Sequence, residues 1–184
     1  MMVGLIKGRQ RIGKTTWLTG IALHLCWNGG YQPSEIVSNY HLFNDDGTPL
    51  DGYHYLTNRM MRSFLNRMID KGYRHLIILI DEIDRVFSHR LWHNPEQIAA
   101  LTGLWQDEKL FHNVWGTAHI GLSVDSLIRE ISQVEIIVQK KDVINDCLHG
   151  VVINNLNKEI FEQTMHKLSL VQKCFDSWEA VANA

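Results

Sequence analysis

The chain has 184 residues, of which 45% are hydrophobic and 21% charged, and its formal net charge is −2 at pH 7. This length and composition are typical of one soluble domain with a full hydrophobic core. A net charge near zero excludes a general attraction to nucleic acid or acidic membranes, so a polyanionic partner would have to meet a local basic patch.

Predicted strands and helices alternate along the chain. The first strand runs into a glycine-rich turn, and the helix after it is stopped by the paired glycines Gly29 and Gly30. In the next helix Met61, Phe64, Leu65 and Met68 share one apolar face. The predicted strands are 1–8, 34–43, 74–82, 113–119, 134–139 and 150–155, and the predicted helices are 13–30, 57–72, 94–110, 124–132 and 177–184.

This alternation predicts an α/β fold with a mainly parallel central sheet flanked by helices. The run RHLIILIDE at 74–82 is apolar until its two final carboxylates, as expected of a fully buried parallel strand. The sequence shows no repeat, low-complexity segment or linker. We therefore predict a single domain over 1–184, with a core at about 1–156 and a C-terminal appendage at 157–184.

The cysteines and the apolar runs indicate where in the cell the protein lies. Cys26, Cys147 and Cys174 are far apart and form no CxxC pair, which favours a reducing compartment and argues against a structural zinc site. The longest apolar run, LIILI, is far shorter than the roughly 20 residues that span a bilayer. At the amino terminus, the first apolar residues of the chain lead directly into the glycine turn, so no signal peptide is expected. We predict a cytoplasmic protein with no direct membrane insertion.

The glycine turn, GRQRIGKT at 8–15, fits the phosphate-binding loop pattern (Walker A) in full, between a strand and a helix. Glycines let the backbone N–H groups converge on one anion, and the helix that follows adds the positive end of its dipole. Lys14 would reach the β- and γ-phosphates, and Thr15 would coordinate Mg²⁺. The alternative is a chance glycine-rich turn. The residues predicted to bind nucleotide are Gly8, Arg9, Gln10, Arg11, Ile12, Gly13, Lys14, Thr15 and Thr16.

Two carboxylates, Asp81 and Glu82, end the buried strand (Walker B). An aspartate beside the phosphate loop can hold Mg²⁺, and a glutamate next to it can take a proton from the attacking water. Since a kinase needs no activated water, Glu82 favours hydrolysis over phosphoryl transfer to a small molecule. The alternative is that Glu82 merely caps the helix after it.

The strand NVWGTAH carries two candidates for sensing the γ-phosphate, Thr117 and His119, and His119 is nearer the strand end. Because the chain has ten histidines, His119 can equally have a structural role. Charge that develops on the γ-phosphate also calls for an added arginine, which a neighbouring subunit can supply. Arg129 is the first candidate, ahead of Arg85 and Arg90. The alternative for Arg129 is an ordinary surface role.

A basic cluster surrounds the second helix, largely away from its apolar face. Contacts with the DNA backbone need no sequence reading, and a ring would multiply even one basic element per subunit around a pore. An ordinary solvated helix face is the alternative explanation. The residues of this cluster are Arg59, Arg62, Arg67, Lys71 and Arg74.

Together these motifs resemble the FtsK–HerA superfamily of DNA-pumping ATPases, and within it the small virus genome-packaging ATPases and zonula occludens toxin relatives. The resemblance is carried, in order, by GRQRIGKTT, IVSNYHLF, LIILIDEIDRVF, GTAHIGLSVDSLIRE and CFDSWEAV. It implies a RecA-like P-loop NTPase core, a ring of six or five copies, and ATP-driven movement of double-stranded DNA with Mg²⁺. Capsid vertex or portal proteins are the implied partners, and the implied location is the host-cell cytoplasm, with association with the virion as the alternative.

The resemblance also implies roles for individual residues. It places Lys14 and Thr15 on phosphate and Mg²⁺, Asp81 on Mg²⁺, and Glu82 as the catalytic base. It further implies a sensor near His119, where the family usually has glutamine, and an arginine finger near Arg129.

Three functions follow as hypotheses. Toxin-like relatives generally have a membrane segment after the ATPase domain, and this sequence shows none, which favours packaging of viral DNA into a preformed capsid. A toxin-like phage assembly ATPase and a nucleotide or small-molecule kinase are the alternatives.

The two arginines of the glycine loop, Arg9 and Arg11, have three possible roles. They would add positive charge at the γ-phosphate of their own subunit, point across a ring interface to a neighbouring subunit, or simply face solvent.

Overall fold

The structure is a computed structural model, which describes residues 2–68, 71, 73–87, 94–106, 112–119 and 126–175. Its strands are β1 (Met2–Gly8), β2 (Ile36–Ser38), β3 (His54–Tyr55), β4 (Ile77–Ile80), β5 (Asn113–His119), β6 (Val134–Asp142), β7 (Cys147–Asn154) and β8 (Ile160–His166). Its helices are α1 (Lys14–Gly29), α2 (Asn58–Met68), α3 (Ile83–Val86), α4 (Pro95–Gln106), α5 (Ser126–Ile131) and α6 (Leu168–Lys173), with a 3₁₀ turn at Pro33–Glu35.

The described strands form one sheet in the order β3-β2-β4-β5-β1-β6-β7-β8. The strands from β3 to β6 are parallel to their neighbours, whereas β6, β7 and β8 pair antiparallel. The predicted α/β class with a mainly parallel sheet is confirmed. In such a sheet the carboxyl ends of the parallel strands share one edge, where ligands usually bind.

The central strand β4 shows why the sheet is covered on both faces. All four of its residues are fully buried, and successive side chains point to opposite faces. Ile78 and Ile80 join a core cluster that contains Met61 and Leu65 of α2. On the other face, β4 packs in the core cluster that includes α1. The apolar run in the sequence is therefore a strand between two cores.

Several elements differ from the prediction. The strand predicted at 34–43 is regular only over Ile36–Ser38, because Ser38 turns its hydroxyl onto the backbone of Tyr40. The hairpin strands β6 and β7 are longer than predicted, and β3 and β8 were not predicted. Within the predicted appendage, β8 extends the same sheet and α6 contacts α1. The helix predicted at 177–184 lies outside the described residues.

Among the residues that the structure describes, no helix combines the length and the apolar character needed to cross a bilayer.

Candidate nucleotide-binding site

The glycine loop lies between the end of β1 and the start of α1. Gly13 has a φ of +105°, in the left-handed region that side chains rarely adopt, and its carbonyl accepts the hydrogen bond from Trp17 N–H that opens α1. A Cβ atom at Gly13 would lie 2.9 Å from Cδ2 of Leu148. At Gly8, a Cβ atom would lie 2.7 Å from Cγ2 of Ile12. Backbone conformation and close packing therefore both require glycine in this loop.

Lys14 is the first residue of α1 and is only 7% exposed. Its Nζ donates to the carbonyl of Arg9 at 2.9 Å and lies 3.3 Å from Nδ1 of His119. The register of the sheet explains the second contact, since Gly8 of β1 pairs with His119 of β5. A buried lysine whose ammonium group is held at the glycine loop is placed to bind the terminal phosphates of a nucleotide.

Thr15 and Asp81 meet across 66 residues of sequence. The Thr15 hydroxyl lies 3.1 Å from Oδ1 and 3.2 Å from Oδ2 of the Asp81 carboxylate. A hydroxyl and a carboxylate are the hard oxygen ligands that Mg²⁺ prefers, and Mg²⁺ keeps several waters beside them. This pair therefore fits a magnesium ion beside the phosphate loop.

Two polar side chains from neighbouring strands hold the acid pair in place. Asn39 accepts a hydrogen bond from Asp81 N–H at 2.7 Å and donates one to the Asp81 carbonyl at 2.8 Å. Thr117 donates to Oδ1 of Asp81 at 2.5 Å and accepts from Glu82 N–H at 2.9 Å. Sequence reasoning named Thr117 only as a sensor and gave Asn39 no role. Asn39 lies just after β2, and its role follows from the pairing of β2 with β4, which only the structure shows.

Glu82 stands at the N-cap position of α3, with left-handed backbone angles of φ 51° and ψ 60°. Its side chain makes no capping hydrogen bond to α3, so the capping explanation does not account for its carboxylate. Instead, Oε2 lies 2.6 Å from Nε of Arg85, and Oε1 lies 3.8 Å from Nε2 of His119. The carboxylate is one-third exposed, which leaves it accessible to water.

His119 lies between the two functional halves of the site. One ring nitrogen faces Lys14 of the phosphate loop, and the other faces Glu82 at the end of β4. The side chain is 24% exposed. A group in this position contacts both Lys14 of the glycine loop and the Glu82 carboxylate.

Two buried hydroxyl groups, those of Thr19 and Tyr40, fix the backbone at Thr15. Thr19 donates to the carbonyl of Thr15 at 2.9 Å, and its hydroxyl lies 3.1 Å from the phenol oxygen of Tyr40. Burial raises the pKa of Tyr40, and the charge of Asp81 raises it further. The phenol is therefore a neutral hydrogen-bonding group that fixes the first turn of α1.

The arginine candidates occupy different places. Arg85 contacts Glu82, and Arg90 lies outside the described residues. Arg129 is exposed in the last turn of α5. Gln133, which follows α5, donates its backbone N–H to the carbonyl of Val3, so the end of α5 lies near the amino-terminal end of β1. The phosphate loop follows the opposite, carboxyl end of β1. The structure therefore does not bring Arg129 to the phosphate loop of its own chain.

The variable positions of the loop face outward. Arg9, Gln10 and Arg11 are exposed, whereas Thr16 is buried and Ile12 is partly buried. Arg11 has a φ of +60°, which is uncommon for a residue with a side chain. Both arginines thus place positive charge at the rim of the phosphate loop, where it is open to solvent.

No protein-family model matches the sequence, and no curated protein matches it. Solved structures do match. The N-terminal domain of zonular occludens toxin from Neisseria meningitidis has a TM-score of 0.62 at 13% identity, over 95% of this chain and 98% of that one. The genome packaging NTPase B204 from Sulfolobus turreted icosahedral virus 2, in complex with ATP-gammaS, has a TM-score of 0.61 at 12% identity, over 88% and 96%.

The cytoplasmic domain of the Type VII secretion ATPase EccC from Thermomonospora curvata has a TM-score of 0.59 at 10% identity. The match covers 90% of this chain but only 24% of that longer chain. These likenesses show that the chain has the fold of FtsK–HerA-type P-loop ATPases, and the predicted resemblance is confirmed at that level.

Proposed function

We propose that this chain, with the fold of FtsK–HerA-type P-loop ATPases, hydrolyses ATP to translocate double-stranded DNA, most specifically to package viral DNA into a preformed capsid. The observation that carries the proposal is the convergence of Lys14, Thr15, Asp81 and Glu82 at the carboxyl edge of the parallel strands. This arrangement supplies a phosphate cradle, a magnesium position and a carboxylate within reach of water.

Each residue has a distinct part in hydrolysis. Backbone N–H groups of the loop and Lys14 bind the phosphates and stabilise the charge that develops on them. Thr15 and Asp81 would hold Mg²⁺, which would supply positive charge to offset that of the phosphates. Glu82 takes the proton from the attacking water. Thr117 holds Asp81 and the backbone of Glu82 in register, and His119 links the occupancy of the lysine to the position of Glu82.

The position of Arg129 supports a ring. It is exposed at the edge of the sheet opposite the phosphate loop, so it would complete the site of a neighbour in a head-to-tail arrangement. We propose a ring of six or five copies in which each Arg129 faces the γ-phosphate next door. The outward side chains of Arg9 and Arg11 would add positive charge at the same junction.

The basic cluster supports DNA as the polymer that is moved. The apolar face of α2 is buried in the core, which turns Arg59 and Arg67 to the surface. Lys71 and Arg74 are exposed just beyond the helix, and Arg62 is partly buried. Contacts of this kind bind phosphates without reading sequence.

A short hydrogen-bond path joins this cluster to the nucleotide site. Asn39, which holds both backbone groups of Asp81, also donates to Oδ1 of Asn58 at 2.7 Å. Asn58 is the first residue of α2. A change at the end of β4 during hydrolysis would therefore reach the helix that carries Arg59 and Arg67.

The second candidate is a toxin-like phage assembly ATPase, and it rests on one observation. The match to the zonular occludens toxin domain covers 98% of that domain, much as the match to B204 covers 96% of that packaging NTPase. Capsid vertex or portal proteins would be the partners for packaging, whereas an assembly ATPase would work on phage proteins. The kinase alternative is disfavoured because a kinase needs no activated water, whereas Glu82 follows Asp81 directly and keeps a partly exposed carboxylate.

The test is ATP-dependent displacement of a third strand from a DNA triplex, measured together with ATP turnover. We expect double-stranded DNA to stimulate turnover and the strand to be displaced only with ATP. The double variant Arg59→Gln, Arg67→Gln should keep basal turnover and lose its stimulation by DNA. The control is Lys158→Gln, at an exposed lysine between β7 and β8, and it should behave as wild type. Turnover indifferent to DNA, or ADP formation that requires a nucleoside acceptor, would contradict the proposal.

A further inference from the structure

We propose that Asp142, Cys147 and His149, in the hairpin of β6 and β7, form a binding site for a divalent transition metal, with Zn²⁺ as the natural occupant. The site is separate from the nucleotide-binding residues. One ligand atom from each of the three side chains lies within 4.8 Å of the other two.

The pairing of the hairpin brings the three residues to one face. Asp142 of β6 is the direct partner of Cys147 of β7 in the antiparallel register. His149 follows Cys147 by two residues on the same strand, so its side chain points to the same side. Leu148, between them, points to the opposite face, against Gly13 of the phosphate loop. Because Asp142 enters only through this pairing, cysteine spacing in the sequence predicted no zinc site.

The distances suit a metal of this class. Sγ of Cys147 lies 3.3 Å from Nε2 of His149. Two such ligands bound to one tetrahedral Zn²⁺, at about 2.3 Å for sulfur and about 2.0 Å for nitrogen, lie about 3.5 Å apart. Cys147 is buried, while Asp142 retains 15% exposure of its side chain. A water molecule can therefore reach the fourth coordination position from the aspartate side.

His149 is oriented by a partner on the next strand. Its Nδ1 lies 3.1 Å from the hydroxyl oxygen of Thr164, which pairs with His149 in the β7–β8 register. When Nδ1–H donates to Thr164, the lone pair of Nε2 is directed toward Cys147. Histidines that bind metals are commonly fixed in this way, by a hydrogen bond from the nitrogen that is not a ligand.

The Asp142 carboxylate has room for a metal. It accepts from the backbone N–H of Asn145 at 3.1 Å and from Asn145 Nδ2 at 3.0 Å, and it lies 3.5 Å from Nζ of Lys140. A carboxylate offers about four acceptor positions, so these contacts leave one. They also fix the carboxylate at the end of β6, next to Cys147.

The chemistry of the donors selects the metal. A thiolate with an imidazole and one carboxylate favours Zn²⁺ or Co²⁺ over Mg²⁺, which prefers oxygen ligands. Bound metal would lock the hairpin whose tip is tied to α6, since Asp146 accepts hydrogen bonds from the backbone and hydroxyl of Ser169. The side chain of Leu148, in the same hairpin, lies against Gly13. Bound metal would therefore also stabilise this contact between the hairpin and the glycine loop.

The experiment is a titration of the untagged, reduced chain with Co²⁺ after removal of metals by a chelator, without nucleotide. We expect a thiolate-to-cobalt charge-transfer band that saturates at about one equivalent and is displaced by Zn²⁺. The magnesium position contains no thiolate, so it cannot produce this band. Zn²⁺ should also raise the thermal unfolding midpoint of the metal-free chain.

Variants make the assignment specific. Cys147→Ser and His149→Ala should lose the band, whereas Cys174→Ser, at a second buried cysteine that is not part of the three-residue group, should keep it. Thr164→Val should weaken Co²⁺ affinity about 10-fold or more. A wild-type chain that gives no charge-transfer band would overturn the proposal without recourse to any variant. Persistence of the band in Cys147→Ser, or its loss in Cys174→Ser, would overturn it as well.

Discussion

The buried hydroxyl of Thr117 donates a hydrogen bond to the carboxylate of Asp81 at 2.5 Å, from the strand beside it in the sheet. The same oxygen accepts the N–H of Glu82. One side chain thus positions both the Asp81 carboxylate, which we propose holds Mg²⁺, and the backbone of Glu82, the proposed base. Thr117 is a positioning residue, whereas His119 at the strand end faces Lys14 and Glu82 directly.

Thr117→Val should impair catalysis while it preserves the shape of the site. Valine replaces the hydroxyl by a methyl group, which leaves Glu82 N–H without its acceptor and frees the Asp81 carboxylate. We expect a destabilisation of about 1–3 kcal/mol and a higher Mg²⁺ concentration at half-maximal ATP turnover. Thr117→Ser keeps the hydroxyl and should restore the magnesium dependence. Equal magnesium dependence in wild type and Thr117→Val would show that the hydroxyl does not position Asp81.

Gly13→Ala should abolish nucleotide binding. The backbone at φ +105° is strained for alanine, and the new Cβ would lie 2.9 Å from Leu148. The strain is about 1–3 kcal/mol, and relief of the contact would move the loop that binds phosphate. Gly47→Ala is the matched control, because Gly47 has a φ of +82° in an open turn with no atom near its Cβ position. Calorimetric titration with ATP should show binding in the control and none in Gly13→Ala.

The stability of the fold should fall between pH 6.5 and pH 4 through His112. Burial lowers the pKa of His112 from 6.5 to about 4, and its Nδ1 accepts a hydrogen bond from Leu76 N–H. In this window the unfolded chain binds a proton that the folded chain excludes, so stability is present above pH 6.5 and is lost as the pH falls. Thermal unfolding midpoints measured across the window should show this loss.

Asparagine at position 112 provides the comparison, since its side-chain oxygen can accept from Leu76 N–H and does not titrate. His112→Asn should have a flatter dependence of the unfolding midpoint on pH than wild type. His24→Asn removes an exposed histidine and should leave the dependence unchanged. Identical profiles for wild type and His112→Asn would show that another group controls acid stability.

The sequence was most informative where periodicity and local motifs define structure. The glycine loop, the buried strand that ends at Asp81 and the apolar face of α2 each rest on neighbouring residues, and the structure has all three. The role of Asn39 depends on β2 lying beside β4, a pairing between segments about 40 residues apart that no local pattern encodes. For the same reason the sequence favours His119 over Thr117 as the sensor, since only strand register shows which side chain reaches Asp81.

The antiparallel edge of the sheet was harder to predict. β8 carries mostly exposed residues, with no apolar alternation strong enough to mark it, and its place follows from pairing with β7. The position of Arg129 relative to the phosphate loop also follows from topology, because α5 returns the chain to the amino-terminal end of β1. A ring role for this arginine stays a prediction.

The central claim is that Lys14, Thr15, Asp81 and Glu82 form one hydrolytic site, and Glu82→Gln tests it most directly. The measurement is ATP affinity together with single-turnover hydrolysis in Mg²⁺, with Glu130→Gln, an exposed glutamate of α5, as the control. We predict that Glu82→Gln binds ATP as wild type does and hydrolyses it about 10²–10⁴-fold more slowly, while Glu130→Gln matches wild type. Hydrolysis by Glu82→Gln at the wild-type rate would contradict the account.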